Sequence, residues 1–373
     1  MISFFKKAAA VFLAAVTVLC LASCGDGKDG DSGTAKTEKG VKVTQTAAKA
    51  AKTEVYETAD FSMTIPKGWK VTTGGANIYH TIRVSDPDEP LNGMFILLKA
   101  ECLLHSAEGK AAWQYNYSLD QRYAVFAEAP VLANPSTEGF FKIFSQYGTF
   151  VSKVDTTYAG YAFPKYDNFT VTERFESASN LKAYALGEEL LRATFTDGGK
   201  EGEGMFSASV VDFGTMPVAT GRLNNYVLET VDGEYYLAYN IMAITAAKDT
   251  FIEWEGLLSE CMKTLKYSDS FVSATNSASN EKVAQAAKIS QNFNDTMDGI
   301  MSSWENRNKS QDIMSQKQSD ATLGYERVYD TKTNEVYRAT NGFSDSYDGK
   351  RYKPVTDDSM YSEPISGYIE KVD

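Results

Sequence analysis

Hydrophobic and polar positions divide the chain into four regions. Residues 1–23 carry one apolar run, and residues 24–53 carry almost no large apolar side chains. Residues 54–272 contain the alternating and continuous apolar patterns that form strands and amphipathic helices, whereas residues 273–373 are mostly polar. A segment without apolar side chains cannot bury enough surface to offset its ordering entropy. The pattern therefore predicts a short leader, a flexible linker, one globular domain and a separate C-terminal region.

Strand and turn signals dominate the globular region. Met94–Leu98 is continuously apolar, as in a strand covered on both faces, and the turns at Asp197-Gly198 and Asp232-Gly233 are typical of hairpins. Residues 106–157 show helical spacing instead. An apolar stripe near the end of the region predicts a closing amphipathic helix. The stripe consists of Phe251, Trp254, Leu258, Cys261 and Leu265.

Hairpins outnumber crossovers in residues 54–272, which predicts an α+β domain with an antiparallel sheet packed by helices. The opening FSMTIPKGW, the hairpin-rich middle and the closing WEGLLSECMKTLKY resemble the photosystem II PsbP-type fold. Bacteria place that fold in many exported lipoproteins of unknown function. The resemblance covers about residues 55–270 and implies an α/β/α sandwich, relative to which the helical stretch at residues 106–165 is an insertion.

Residues 273–373 are predicted to form a long helix followed by a small β-hairpin. The hairpin turn runs from Asp330 to Asn334, with Asn334 in the left-handed position. This stretch resembles a tail of many bacterial secreted proteins of unknown function. The helix carries an apolar stripe at 4-3-4 spacing, which packs either in a core or on a partner. The candidate interaction residues of this stripe are Phe293, Met297, Ile300 and Trp304.

The N-terminal region has the features of an export signal. Two lysines precede an apolar run over residues 8–22, which is shorter than the roughly 20 residues that span a bilayer. The run ends in LASC, which resembles the lipobox of bacterial lipoproteins and implies cleavage before Cys24 and lipid attachment to its thiol. An ordinary signal peptide would leave Cys24 as a free thiol. We expect a lipid anchor at Cys24 and an outward-facing, extracytoplasmic protein on the cell membrane.

Net charge narrows the choice of partners. Removal of residues 1–23 takes away two lysines and no acidic residue, so the mature charge is 35 minus 49, or −14. An acidic protein is repelled by nucleic acid and by anionic lipid headgroups. The charge therefore predicts no nucleic-acid partner, and it predicts membrane contact through the lipid and not through a basic face.

The cysteines leave two alternatives open. Once Cys20 departs with the leader and Cys24 carries lipid, the remaining thiols are Cys102 and Cys261. In an exported protein they form either a disulfide, worth on the order of 5 kcal/mol in the chain-entropy model, or two buried free thiols. Spacing along the chain does not decide between these states.

Residues suited to catalysis or metal binding are few. The mature chain has two histidines, and the spacing of Cys102 and His105 lacks the further ligands of a zinc site. Motifs for zinc proteases, dithiol redox sites, serine hydrolases and phosphate loops do not occur. Ser-x-x-Lys occurs at Ser179 and Ser279 without the companion motifs of penicillin-binding proteins. We predict no metal, no cofactor and no catalytic residue, although abundant carboxylates leave an enzyme open.

Three functions are consistent with these features. The first is a lipid-anchored, non-catalytic binding or interaction protein that recognises an envelope protein or a small ligand. It would use a sheet edge or an aromatic cleft at Tyr235, Tyr236 and Tyr239. The second is a structural envelope lipoprotein that docks on a membrane protein through its C-terminal helix. The third is an exported cell-wall or glycan hydrolase, which requires two carboxylates that converge in a cleft.

Overall fold

A computed structural model describes most of the chain between residues 36 and 371. The described residues are 36–38, 41–45, 51–175, 181–187, 190–212, 214–248, 250–277, 317, 320–321, 323–363 and 365–371. The lipidation residue Cys24, the two Ser-x-x-Lys serines and the predicted helical stripe at Phe293, Met297, Ile300 and Trp304 lie outside them.

The elements are numbered in chain order. The strands are β1 (Lys36–Glu38), β2 (Val41–Gln45), β3 (Thr53–Glu57), β4 (Phe61–Pro66), β5 (Lys70–Gly74), β6 (Thr81–Ser85), β7 (Gly93–Leu104), β8 (Asp167–Phe175), β9 (Leu190–Asp197), β10 (Lys200–Val211), β11 (Pro217–Asn224), β12 (Val227–Asp232), β13 (Tyr235–Ala247), β14 (Lys266–Tyr267), β15 (Tyr325–Asp330), β16 (Val336–Thr340), β17 (Tyr352–Pro354) and β18 (Ile365–Lys371). The helices are α1 (Ala107–Leu119), α2 (Ala124–Glu128), α3 (Thr137–Lys142), α4 (Phe144–Val154), α5 (Phe251–Lys263), α6 (Asp269–Ser277) and α7 (Phe343–Ser346).

A seven-stranded sheet forms the centre of the globular domain, in the order β5-β6-β7-β13-β10-β9-β8. Every pair of neighbours is antiparallel, and β9 and β10 form the hairpin predicted at Asp197-Gly198. The predicted helical stretch at residues 106–157 becomes α1 to α4. The α+β class with an antiparallel sheet packed by helices is therefore confirmed.

Separate apolar cores cover the faces of this sheet. On one face, α1 to α4 bury an aromatic cluster in which the ring of Phe206 lies 4.9 Å from those of Phe141 and Phe169. On the other face, α5 and the small sheet β14-β4-β3 bury a mainly aliphatic cluster. The predicted stripe of the closing helix is buried in this second core, as helical spacing requires.

The cysteines lie on opposite faces of the sheet. Cys102 belongs to the core beneath α1 to α4, and Cys261 belongs to the core beneath α5. Both are buried free thiols in the structure, and burial raises the pKa of Cys261 to about 11. The disulfide between Cys102 and Cys261, which the sequence left open, is therefore not formed, because the sheet separates the two thiols.

A second sheet is built from both ends of the described chain, in the order β1-β2-β18-β16-β15-β17. The hairpin of β15 and β16 turns at the predicted residues, with Asn334 at φ 61°. Strand β2 pairs with β18, and Val41 and Val43 are buried in the core of this sheet. These strands differ from the flexible linker predicted for residues 24–53. The alternation of Val41 and Val43 with polar residues is a strand signal that the polar composition of the segment obscured.

Buried charges lie where the second sheet approaches the main sheet. On the main sheet Arg192 Nε donates to Glu203 Oε1 at 2.5 Å, and both side chains are almost fully buried. Beside the second sheet, Asp320 accepts from Arg327 of β15 at 2.5 Å and from Arg338 of β16 at 3.1 Å. Arg338 is attracted by the charge of Glu203 and repelled by that of Arg192. We call these five residues the ionic seam, because they bring buried charges from the two sheets near one another.

Candidate interaction site

A two-stranded excursion interrupts the main sheet between β10 and β13. Its strands β11 and β12 pair antiparallel and turn through Asn225 and Tyr226, whose φ angles are 48° and 64°. Two consecutive positive φ angles are typical of a type I′ hairpin turn. Residues 221–228 are all exposed, so the end of the excursion projects into solvent. We call residues 217–232 the arm.

The predicted hairpin at Asp232-Gly233 is wrong. The sequence indicated that the strands on either side of this turn pair with each other. In the structure β12 pairs with β11, whereas β13 pairs with β7 and β10. Asp232-Gly233 is instead the point where the chain leaves the arm and re-enters the main sheet.

Helix α1 supports the arm along part of its length. The indole Nε1 of Trp113 donates to the carbonyl of Gly233 at 2.8 Å, and Asn116 Nδ2 donates to the carbonyl of Ala219 at 2.8 Å. Because these carbonyls belong to the arm and to the residue after it, the helix sets the direction in which the arm leaves the sheet.

The support from α1 reaches the arm at Gly221. A Cβ atom at this position would lie 2.3 Å from the ring of Tyr115, and the φ angle of Gly221 is 78°. Both facts restrict the position to glycine. The glycine breaks the register of the two strands, and the exposed turn lies beyond it.

A carboxylate organises the root of the arm. Asp232 accepts hydrogen bonds from the backbone amides of Met216 and Glu234, both at 3.0 Å, and from Nδ1 of His105 at 2.7 Å. Burial alone would raise the pKa of Asp232, but these hydrogen bonds outweigh it and hold the pKa below its usual value. The root is thus fixed by a charged group that remains ionised at neutral pH.

His105 lies between the two ends of the arm insertion. Its ring packs against that of Tyr236 with centroids 4.0 Å apart and planes tilted by 35°, and its Nε2 lies 3.5 Å from Oδ1 of Asp212, which follows β10. Nε2 is buried and makes no hydrogen bond with the described residues. A catalytic His-Asp pair presents Nε2 to a nucleophile. Here Nε2 faces a second carboxylate, so the histidine serves to hold the arm.

The outer end of the arm is apolar. Leu223 pairs directly with Leu228, and Asn224 pairs with Val227. Tyr226 at the apex is 99% exposed, and each of the other apolar side chains is at least half exposed. Large apolar side chains clustered in solvent usually mark a contact surface. The arm tip consists of Leu223, Tyr226, Val227 and Leu228.

The apex tyrosine is held in an unfavourable backbone conformation. Left-handed φ angles cost an ordinary L-residue about 1–2 kcal/mol, and type I′ turns favour glycine at such positions. Tyr226 takes a φ angle of 64° and buries almost none of its ring in return. Backbone strain that brings no packing is associated with functional positions. The side chain of Tyr226 is therefore the part of the arm that we connect with function.

The aromatic cleft predicted from sequence is not open in the structure. Tyr239 is buried beneath Ile78 and Val211, and Tyr235 packs 6.0 Å from Phe126. Tyr236 packs against the ring of His105. These three tyrosines pack the end of the sheet and do not form a ligand cradle.

A buried lysine lies close to this end of the sheet. Lys99 Nζ donates to Glu101 at 2.6 Å and to the hydroxyl of Tyr79 at 3.4 Å. Burial, followed by the charge of Glu101, raises the pKa of Tyr79 above its ordinary value. The charges of Lys99 and Glu101 cancel, so the group is a neutral polar cluster near the end of β7.

Comparisons with known proteins do not assign the chain to a family. No model of a known protein family matches the chain, and no curated protein matches it. Among the described helices none has the length and apolar character needed to cross a membrane. In the same part of the chain, no group of three or more His, Cys, Asp and Glu side chains is placed to hold a metal ion.

The arm tip was not predicted from the sequence. Its residues lie in LNNYVLETV, which was interpreted as an ordinary strand. The usable signal was the pair Asn224-Asn225, since Asn tolerates the left-handed conformation and precedes the apex. A hairpin centred there would have placed Tyr226 at a turn and exposed it.

Proposed function

We propose that the chain is a lipid-anchored, extracytoplasmic interaction protein without catalytic activity, and that the arm is its contact surface. The observation that carries the proposal is the exposed, uncharged arm tip with a left-handed tyrosine at its apex. The lipobox-like LASC sequence supports the anchor at Cys24. The arm then presents the tip to a component of the same envelope.

The rest of the architecture supports this proposal. We propose that the globular domain is a PsbP-like sandwich, because helices cover both faces of its antiparallel sheet. The imidazole of His105 is engaged at the arm root between two carboxylates. The hydrogen bonds at the arm root hold an exposed hairpin in a fixed orientation, and such a scaffold is suited to binding.

Site-specific photo-crosslinking in intact cells tests the proposed contact. A benzophenone side chain placed at Tyr226 should form adducts with an envelope component, because the tip touches it. The same group at Tyr184 serves as the matched control, since Tyr184 is a tyrosine that is 73% exposed outside the arm. We expect several-fold more adduct at position 226. Equal adduct yields at the two positions would contradict the arm as contact surface.

A further inference from the structure

The arm tip exposes apolar side chains on both faces and at its apex, beside the polar side chains of Asn224 and Asn225. Leu223 and Leu228 are direct cross-strand partners, so their side chains share one face of the hairpin. Val227 precedes Leu228 in the strand and therefore points to the opposite face. Tyr226 occupies the apex between the faces. A hairpin that docks flat on another protein needs one apolar face, whereas the exposed apolar side chains of this tip are distributed over both faces and the apex.

The tip is also free of charge. Residues 223–228 contain no Asp, Glu, Lys or Arg, and the first charged residues on either side are Arg222 and Glu229. These flanking charges are of opposite sign, so the base of the tip is neutral overall. A neutral tip is not repelled by a membrane surface, although the whole chain is strongly acidic. Tyrosine is in addition enriched at membrane interfaces, where its ring lies at the level of the headgroups.

The proposed anchor limits how far the first described strand lies from such a surface. Eleven residues separate Cys24 from Lys36, and an extended chain of that length spans at most about 40 Å. A second membrane contact made by an anchored chain is effectively intramolecular, so the anchor strengthens the insertion of the arm. Stable peripheral attachment commonly combines lipid with a second, protein-encoded signal.

We propose that the arm tip inserts into the interfacial layer of the membrane that carries the lipid anchor. This inference rests on the proposed function and names the partner of the arm as a lipid surface. The bonds of α1 and His105 to the arm hold the tip in a fixed direction. Insertion of the tip thereby orients the globular domain relative to the membrane.

Tryptophan quenching in vesicles tests this insertion. The full lipidated chain carrying Tyr226→Trp is reconstituted in phosphatidylcholine vesicles with brominated acyl chains, and the unsubstituted chain supplies the background of the native tryptophans. We expect the added fluorescence to fall by about half or more when the bromines are near the carbonyl end of the acyl chains, since a tryptophan in the interfacial layer reaches that segment. The loss should not depend on salt, because the tip is uncharged. A chain with Tyr184→Trp should show no loss.

The outcomes separate this inference from the proposed function. If the protein binds the vesicles but the tryptophans at positions 226 and 184 are quenched equally, membrane insertion is overturned. The arm would then be left with a protein partner. A chain that fails to float with vesicles would overturn the lipid anchor and both proposals together. Leu223→Trp, on a neighbouring strand residue, should repeat the result for Tyr226→Trp and guards against a local folding defect.

Discussion

Replacing Arg192 by Met is expected to lower the free energy of unfolding by about 3–5 kcal/mol, the usual cost of breaking a buried ion pair from one side. Arg192 is 3% exposed and lies 5.4 Å above the ring of Phe251. Burial alone would lower the pKa of its guanidinium, but Glu203, Glu255 and Glu173 outweigh burial and raise it. The substitution removes the buried cation that interacts with all three carboxylates. Urea unfolding of the two chains measures the difference.

The matched variant is Glu203→Gln. It removes one carboxylate and leaves Arg192 with Glu255 and Glu173, both of which are buried beside it. We therefore expect a clearly smaller loss than for Arg192→Met. A loss for Arg192→Met that is equal to or below that of Glu203→Gln would show that the arginine does not balance several carboxylates.

Acidification from pH 7 to pH 4 is expected to destabilise the parent chain by about 3 kcal/mol more than a His80→Phe variant. Burial lowers the pKa of His80 to about 4, because its ring is enclosed by those of Phe61, Tyr267 and Phe271. An unfolded histidine takes its proton near pH 6.5. Between these values the unfolded state binds more protons, so stability is complete above pH 6.5 and is lost as pH falls towards 4.

Thermal or urea unfolding at a series of pH values measures this difference. The His80→Phe variant keeps an aromatic ring in the cluster and removes the titrating group, so the difference between the two curves isolates His80. A His105→Gln variant keeps His80 and should retain the acid-induced loss. Parallel pH curves for the parent and His80→Phe would show that His80 is hydrated or already charged in the folded protein.

Local signals in the sequence were sufficient for several elements. The turn at Asp197-Gly198 joins strands that are neighbours in both sequence and sheet. The positive φ angles of Gly198 and Gly199 are those that a tight hairpin turn requires. The stripe of α5 is buried because its spacing matches the helical period. Asn334 takes the left-handed conformation in the tail hairpin as expected.

The pairing of strands that are distant along the chain could not be predicted from such local signals. The Asp232-Gly233 turn has hairpin chemistry, but a turn does not determine which strand pairs with which when an inserted arm supplies another partner for β12. Strand β2 pairs with β18, more than three hundred residues away, so its polar neighbourhood gave no indication of a sheet. The burial of His80 and of the ionic seam likewise depends on which distant elements meet.

The arm illustrates how a candidate site escapes sequence analysis. Exposure of Leu223, Val227 and Leu228 is invisible in an alternating pattern, since the same pattern normally buries one face. The feature that separates this hairpin from a core hairpin is its projection past the contacts of α1. That projection is a property of tertiary structure, and it is the basis of the proposed function.

Membrane fractionation of a chain without its anchor tests the central proposal most directly. The chain is exported behind an ordinary signal peptide so that it begins at Gly25, and it is compared with the same chain carrying Leu223→Thr and Tyr226→Gly. These substitutions should not reduce stability, because Leu223 is exposed and glycine removes about 1 kcal/mol of left-handed strain.

If the arm is the contact surface, part of the unanchored chain remains with the membrane fraction. The double variant is then released into the soluble fraction. Identical partitioning of the two unanchored chains would contradict a contact made by the arm.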